Sequence, residues 1–139
     1  MGRCHGLSGE AAKAEEAIGD KHLASMHDAI QRVNKAGVQI VLGSDIYNQV
    51  PGMTRGEDAL EAMFGLSEAG LHPTEALRAA TSAAAEAIGR GDSMGQIKAG
   101  FLANLVAVDG NPLEDLQTIR HIKMVMKQGK LLGDGLLAH

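Results

Sequence analysis

Apolar residues recur three and four positions apart between residues 22 and 36, where Leu23, Met26, Ile30 and Val33 form one stripe. That spacing predicts a helix, which Gly37 closes. Residues 8–18, rich in Ala and Glu, predict a shorter helix stopped by Gly19. Residues 38–42 then form a compact β-branched and aliphatic run directly after a glycine, the pattern of a buried parallel strand. Residues 43–53 are turn-forming and predict a loop. Thr54 with Glu57 three residues later is a capping-box pattern, so a helix should follow through residues 59–69 and end at Gly70. Pro73 starts another helix running to about Thr81, with His72 as its cap, and Ser82 should cap a short Ala-rich helix ending at Gly89.

Beyond Asp92 the pattern becomes strand-like at residues 95–98, 105–109 and 124–127, and at Leu131 and Leu132 after a turn at residues 128–130. Asp109, Gly110, Asn111 and Pro112 mark a turn, and residues 113–119 suit a single helical turn. The expectation is four or five helices, one buried strand, and a small strand group.

Composition narrows the picture. At 139 residues there is room for one modest domain. With 45% hydrophobic and 22% charged residues, the chain falls among soluble globular sequences. Only Tyr47, Phe64 and Phe101 are aromatic, so an aliphatic interior is expected. A formal charge of -4 without a basic run argues against nucleic acid or an anionic membrane as partner. The single Cys4 excludes an internal disulfide, and no apolar stretch is long enough for a membrane span or signal segment. A cytoplasmic setting is the default expectation.

The chemistry points to the end of the predicted strand. In AGVQIVLGSD, residues 36–45, Asp45 lies at a strand tip, where the reactive groups of parallel α/β folds gather. From this stretch alone, a turn former or loop cap is an equal reading. His22 and His27 are five apart, off the i, i+4 spacing of a zinc-binding helix. Cys4 beside His5 lacks a third partner for nucleophilic catalysis. The glycines at 89–91 and 129–135 lack the strand-to-helix context of a phosphate-binding loop.

Four segments together resemble the amidohydrolase superfamily, and most closely its imidazolonepropionase-like and Xaa-Pro dipeptidase-like branch. They are AGVQIVLGSD (36–45), EAGLHPTEALRAATSAAAEAIG (68–89), GQIKAGFLANLVAVDGNPLED (95–115) and IKMVMKQGKLL (122–132), in one order with natural spacings. The resemblance implies an α/β fold: the C-terminal part of a (β/α)8 metal-dependent hydrolase barrel in residues 1–93, with the last barrel strand and following helices. Residues 94–139 would be C-terminal strands of an adjoining small β-sandwich. It also implies that Asp45 is the final metal-binding aspartate, which accepts the proton of the attacking water. A divalent metal, with Zn2+ as the expected ion, would be the cofactor.

Other ligands of the family cannot be placed. The sequence has no His-x-His, and His5, His22, His27, His72, His121 and His139 fall outside the family's ligand positions. Where relatives usually place His-Gly ahead of Asn-Ala, this chain has Arg55-Gly56 ahead of Asp58-Ala59, and Asn104 replaces a common aspartate. The barrel is therefore expected to be incomplete, and the chain to be a C-terminal portion inactive alone. The implied reaction is hydrolysis of a C–N bond in a small amide, cyclic amide or dipeptide. The alternative is a non-catalytic module, or a subunit completing a separately encoded partner. Missing strands would leave apolar faces and edges that favour self-association or an N-terminal partner.

Overall fold

The computed structural model describes residues 9–43 and 52–132. They divide into two compact units, one of residues 9–38 with 52–71 and one of residues 39–43 with 72–132.

In the first unit, helix α1 (Gly9–Lys35) runs without interruption through Gly19. The two helices expected there are one. A single internal glycine costs a helix about 1 kcal/mol relative to alanine, and Ala, Glu and Lys on both sides outweigh that cost. At Gly37 the prediction holds. Its φ of +72° turns the chain, Gly37 N–H donates to Asn34 O (3.0 Å), and Val38 N–H donates to Val33 O (3.1 Å). This paired closure satisfies the last carbonyls of the helix. Helix α2 (Arg55–Glu68) begins at the expected box: Thr54 Oγ1 accepts from Glu57 N–H (3.2 Å), and Thr54 N–H donates to Glu57 Oε2 (2.6 Å). It closes at Gly70, which passes close to Gln31 of α1. Met63, Phe64, Leu66, Ala69 and Leu71 are buried. The interior is thus not purely aliphatic, because Phe64 is one of its most enclosed residues.

In the second unit, α3 (Pro73–Ala80) and α4 (Ser82–Ala87) pack through small side chains, and Ala76, Ala79, Ala83 and Ala85 are buried. His72 caps α3 as expected: Nδ1 accepts from Thr74 N–H (3.4 Å), while His72 N–H donates to Glu75 Oε2 (2.8 Å). Ser82 is not the cap of α4. Thr81 holds that position, and its hydroxyl donates back to Leu77 O (2.6 Å) instead of capping forward. Back-bonding to the preceding turn competes with capping for the same hydroxyl.

Strands β1 (Leu105–Val108), β2 (Ile122–Lys127) and β3 (Lys130–Leu131) form an antiparallel sheet in the order β1-β2-β3, with Val106 opposite Val125 and Met126 opposite Leu131. A two-residue turn joins β2 to β3, with Gln128 and Gly129 both at positive φ as twist-matched hairpin turns require. Asn104 Oδ1 accepts from Gln128 N–H (2.9 Å), and Gly129 N–H donates to Ala103 O (3.0 Å). An aspartate at position 104 would offer the same acceptor oxygen, which explains why this substitution is tolerated. A 3-10 helix at Leu116–Arg120, capped by Asp115, occupies part of the region predicted as one helical turn.

Two strand predictions fail. Residues 95–98 form no strand: the chain bends at Gly95 and Gln96 and has no regular structure at Ile97 and Lys98, whose Nζ lies 5.2 Å from the Phe101 ring centre. Residues 38–42 join no sheet among the described residues, and Val38 (56%) and Val41 (40%) are exposed rather than buried. Burial of such a strand needs neighbours on both sides. No helix among the described residues is long and apolar enough to cross a membrane.

Candidate functional site

The sequence places its candidate carboxylate just past residues 38–43. The Gly37 closure launches this segment out of α1, and it belongs to the second unit from Gln39 onward. Two contacts hold it there. Leu42 N–H donates to Ala79 O (3.0 Å), using a carbonyl in the last turn of α3 that has no partner within that helix. Gln39 Nε2 donates to Glu86 Oε2 on α4 (2.8 Å). Gly43 ends the described stretch, and Asp45, the residue to which the resemblance gives the catalytic and metal-binding role, lies outside the described residues.

The chain is described again from Gly52. The Thr54 box opens α2 and places Glu57 and Asp58 in its first turn, where the positive end of the helix favours carboxylates. That position suits the aspartate found at residue 58. Arg55 is exposed beside it.

The described histidines do not converge. His22 is exposed on α1, His27 is half-buried there, His72 is engaged as a cap, and His121 closes the 3-10 helix before β2. Cys4, His5 and His139 lie outside the described residues. Among the described residues, no three His, Cys, Asp or Glu side chains gather where they could hold a metal ion. Sequence reasoning missed Gln39 and Glu86. They are 47 residues apart, and no local pattern links them.

The Amidohydrolase family matches residues 4–132. The ochratoxinase of Aspergillus niger is 38% identical over 136 residues, covering 94% of this chain and 26% of its own length. The imidazolonepropionase of Shouchella clausii (strain KSM-K16) is 35% identical over 106 residues, covering 73% of this chain and 23% of its own length. Among solved structures, a Xaa-Pro dipeptidase with bound methionine in its active site superimposes with a TM-score of 0.67 at 30% identity, covering 76% of this chain and 25% of that one. The chain thus spans about a quarter of the length of these relatives, and with the match running through both units and every segment singled out in the sequence, it belongs to the amidohydrolase family.

Proposed function

We propose that this chain is the C-terminal portion of a metal-dependent amidohydrolase that cleaves a C–N bond in a small amide, cyclic amide or dipeptide. The observation that carries the reading is the braced segment 39–43, which brings the chain of a family member to Gly43, two residues before Asp45. In the proposed architecture this segment is the last strand of a (β/α)8 barrel, residues 1–93 belong to that barrel, and residues 94–139 add strands to a neighbouring sandwich. Asp45 supplies a carboxylate that takes a proton from the attacking water and passes it to the leaving amine.

A catalytic zinc keeps three protein ligands and one open position. The residues of this chain do not fit that set: no three candidate ligands gather among the described residues, and the sequence has no His-x-His. The chain contributes one carboxylate to a centre whose other ligands come from outside it, and it is inactive alone.

The test is complementation. The chain purified without chelator should carry no stoichiometric zinc and should hydrolyse no member of an N-acyl amino acid and dipeptide panel. Mixing it with an N-terminal portion that bears His-x-His should restore zinc binding and turnover. Asp45→Ala should then lower turnover by about 10²–10⁴-fold, the usual contribution of a general base. Full turnover in the mixed Asp45→Ala enzyme, or stoichiometric zinc in the isolated chain, would refute the reading. A second reading, a non-catalytic module, is favoured by the lack of gathered ligands, and it predicts no turnover in any mixture.

The same proposal assigns a role to exposed apolar surface. Ile97 is 92% exposed and Val106, on β1 at the end of the strand order, is 57% exposed. Surfaces of this kind mark missing partners. The isolated chain should therefore self-associate in light scattering as concentration rises, and a strictly monomeric chain at high concentration would contradict this.

A further inference from the structure

The segment leading to Asp45 is tied to the α3–α4 pair at two points, and the second tie is a long-range contact between two side chains. Leu42 N–H to Ala79 O fixes the backbone at one position, and Gln39 Nε2 to Glu86 Oε2 fixes it three residues earlier. Two such points set the direction of the segment as well as its place, whereas one leaves it free to pivot. The residue after α4's closing turn supports the second tie. A Cβ at Gly91 would stand 2.7 Å from Glu86 Cγ and 3.2 Å from Glu86 Cα, so the chain passes directly over Glu86, and only glycine allows this without displacing it. The crowding limits where the Glu86 side chain can go, which helps to hold its carboxylate on the Gln39 amide.

We propose that Gln39 and Glu86 are a positioning pair, kept in place by Gly91, that orients residues 39–43, the stretch that precedes Asp45 in the sequence. The inference rests on the reading of Asp45 as the functional carboxylate. Neither residue touches reacting atoms. Both side chains are exposed, so the effect is a modest shift in the population of the docked segment rather than loss of the fold.

The experiment uses the 139-residue chain, with amide exchange at Leu42 and the carboxyl carbon resonance of Asp45 followed by NMR. Glu86→Ala should speed exchange at Leu42 about five- to tenfold while β1 and β2 amides keep their rates. Gly91→Ala, which leaves the carboxylate in the chain but displaces it, should act in the same direction. Glu86→Gln retains an acceptor oxygen for the Gln39 amide and should restore slow exchange. The Asp45 resonance should move in Glu86→Ala and return in Glu86→Gln. Unchanged Leu42 exchange in Glu86→Ala, or a Glu86→Gln variant no better than Glu86→Ala, would overturn the pair. A Leu42 response with a stationary Asp45 resonance would overturn its positioning role, reducing it to local stiffening. Asp45→Ala should leave Leu42 exchange unchanged, so failure of the hydrolytic reading in complementation is separable from failure of the pair.

Discussion

Phe64→Ala should lower the unfolding free energy by about 3–5 kcal/mol, read as a reduced urea midpoint with an unchanged slope. Phe64 is 2% exposed on α2, next to buried Met63 and two residues before buried Leu66. An aromatic ring buries roughly 150–250 Å2, more than the small side chains that make up much of this interior. Much of the void left by its removal would stay open, because a packed interior relaxes only partially around a deleted side chain. Ile97→Ala is the matched control. That side chain is 92% exposed, and its loss should stay within about 0.5 kcal/mol of the parent. Equal costs for the two substitutions would contradict the assigned burial.

Gly95→Ala should cost about 2–5 kcal/mol, combining backbone strain with overpacking. Gly95 has φ +89°, and an added Cβ would lie 2.7 Å from Ala85 Cβ, 2.9 Å from Thr81 O and 3.0 Å from Ser82 Cα. Two of those three atoms are backbone at the junction of α3 and α4, so no rotamer change can relieve the collision. Gly129→Ala separates the two causes. Gly129 also has positive φ (+78°) but nothing within 4 Å of the added carbon, so it should lose only the strain. Circular dichroism melts of both variants against the parent measure the difference. A Gly95→Ala variant no less stable than Gly129→Ala would rule out the close approach.

What the sequence made legible is local. The Thr54–Glu57 box, the His72 cap and the closures at Gly37, Gly70 and Gly89 each depend on residues a few positions apart, and each appears where expected. The β2–β3 hairpin followed from its turn for the same reason. Errors arose where a local signal met a stronger competitor. Gly19 reads as a stop, but it lacks the left-handed φ of Gly37, and the helix continues through it. Thr81 and Ser82 are both capable caps, and the one that takes the position spends its hydroxyl on Leu77 O rather than on the new helix. Residues 38–42 have the composition of a buried strand after a helix, but the neighbours such a strand needs cannot be read from the segment itself. The strand-tip pattern offers Asp45 with a turn former as an equal reading, the resemblance supplies its role, and the residue lies outside the described residues. The Gln39–Glu86 contact had no signature in sequence at all.

The same split between local and distant contacts sets how the chain folds. The β-sheet joins neighbours across short connections, and α3 meets α4 across one residue, so these pieces can form with little loop-closure entropy. Bringing Gln39 to Glu86 closes a separation of 47 residues, an entropic cost of about 3 kcal/mol for a flexible loop. The two hydrogen bonds that hold the segment return about 1 kcal/mol each, so its docking is close to balanced. In kinetic terms residues 39–43 should dock late and release early, and anything that binds the docked form would lengthen their stay.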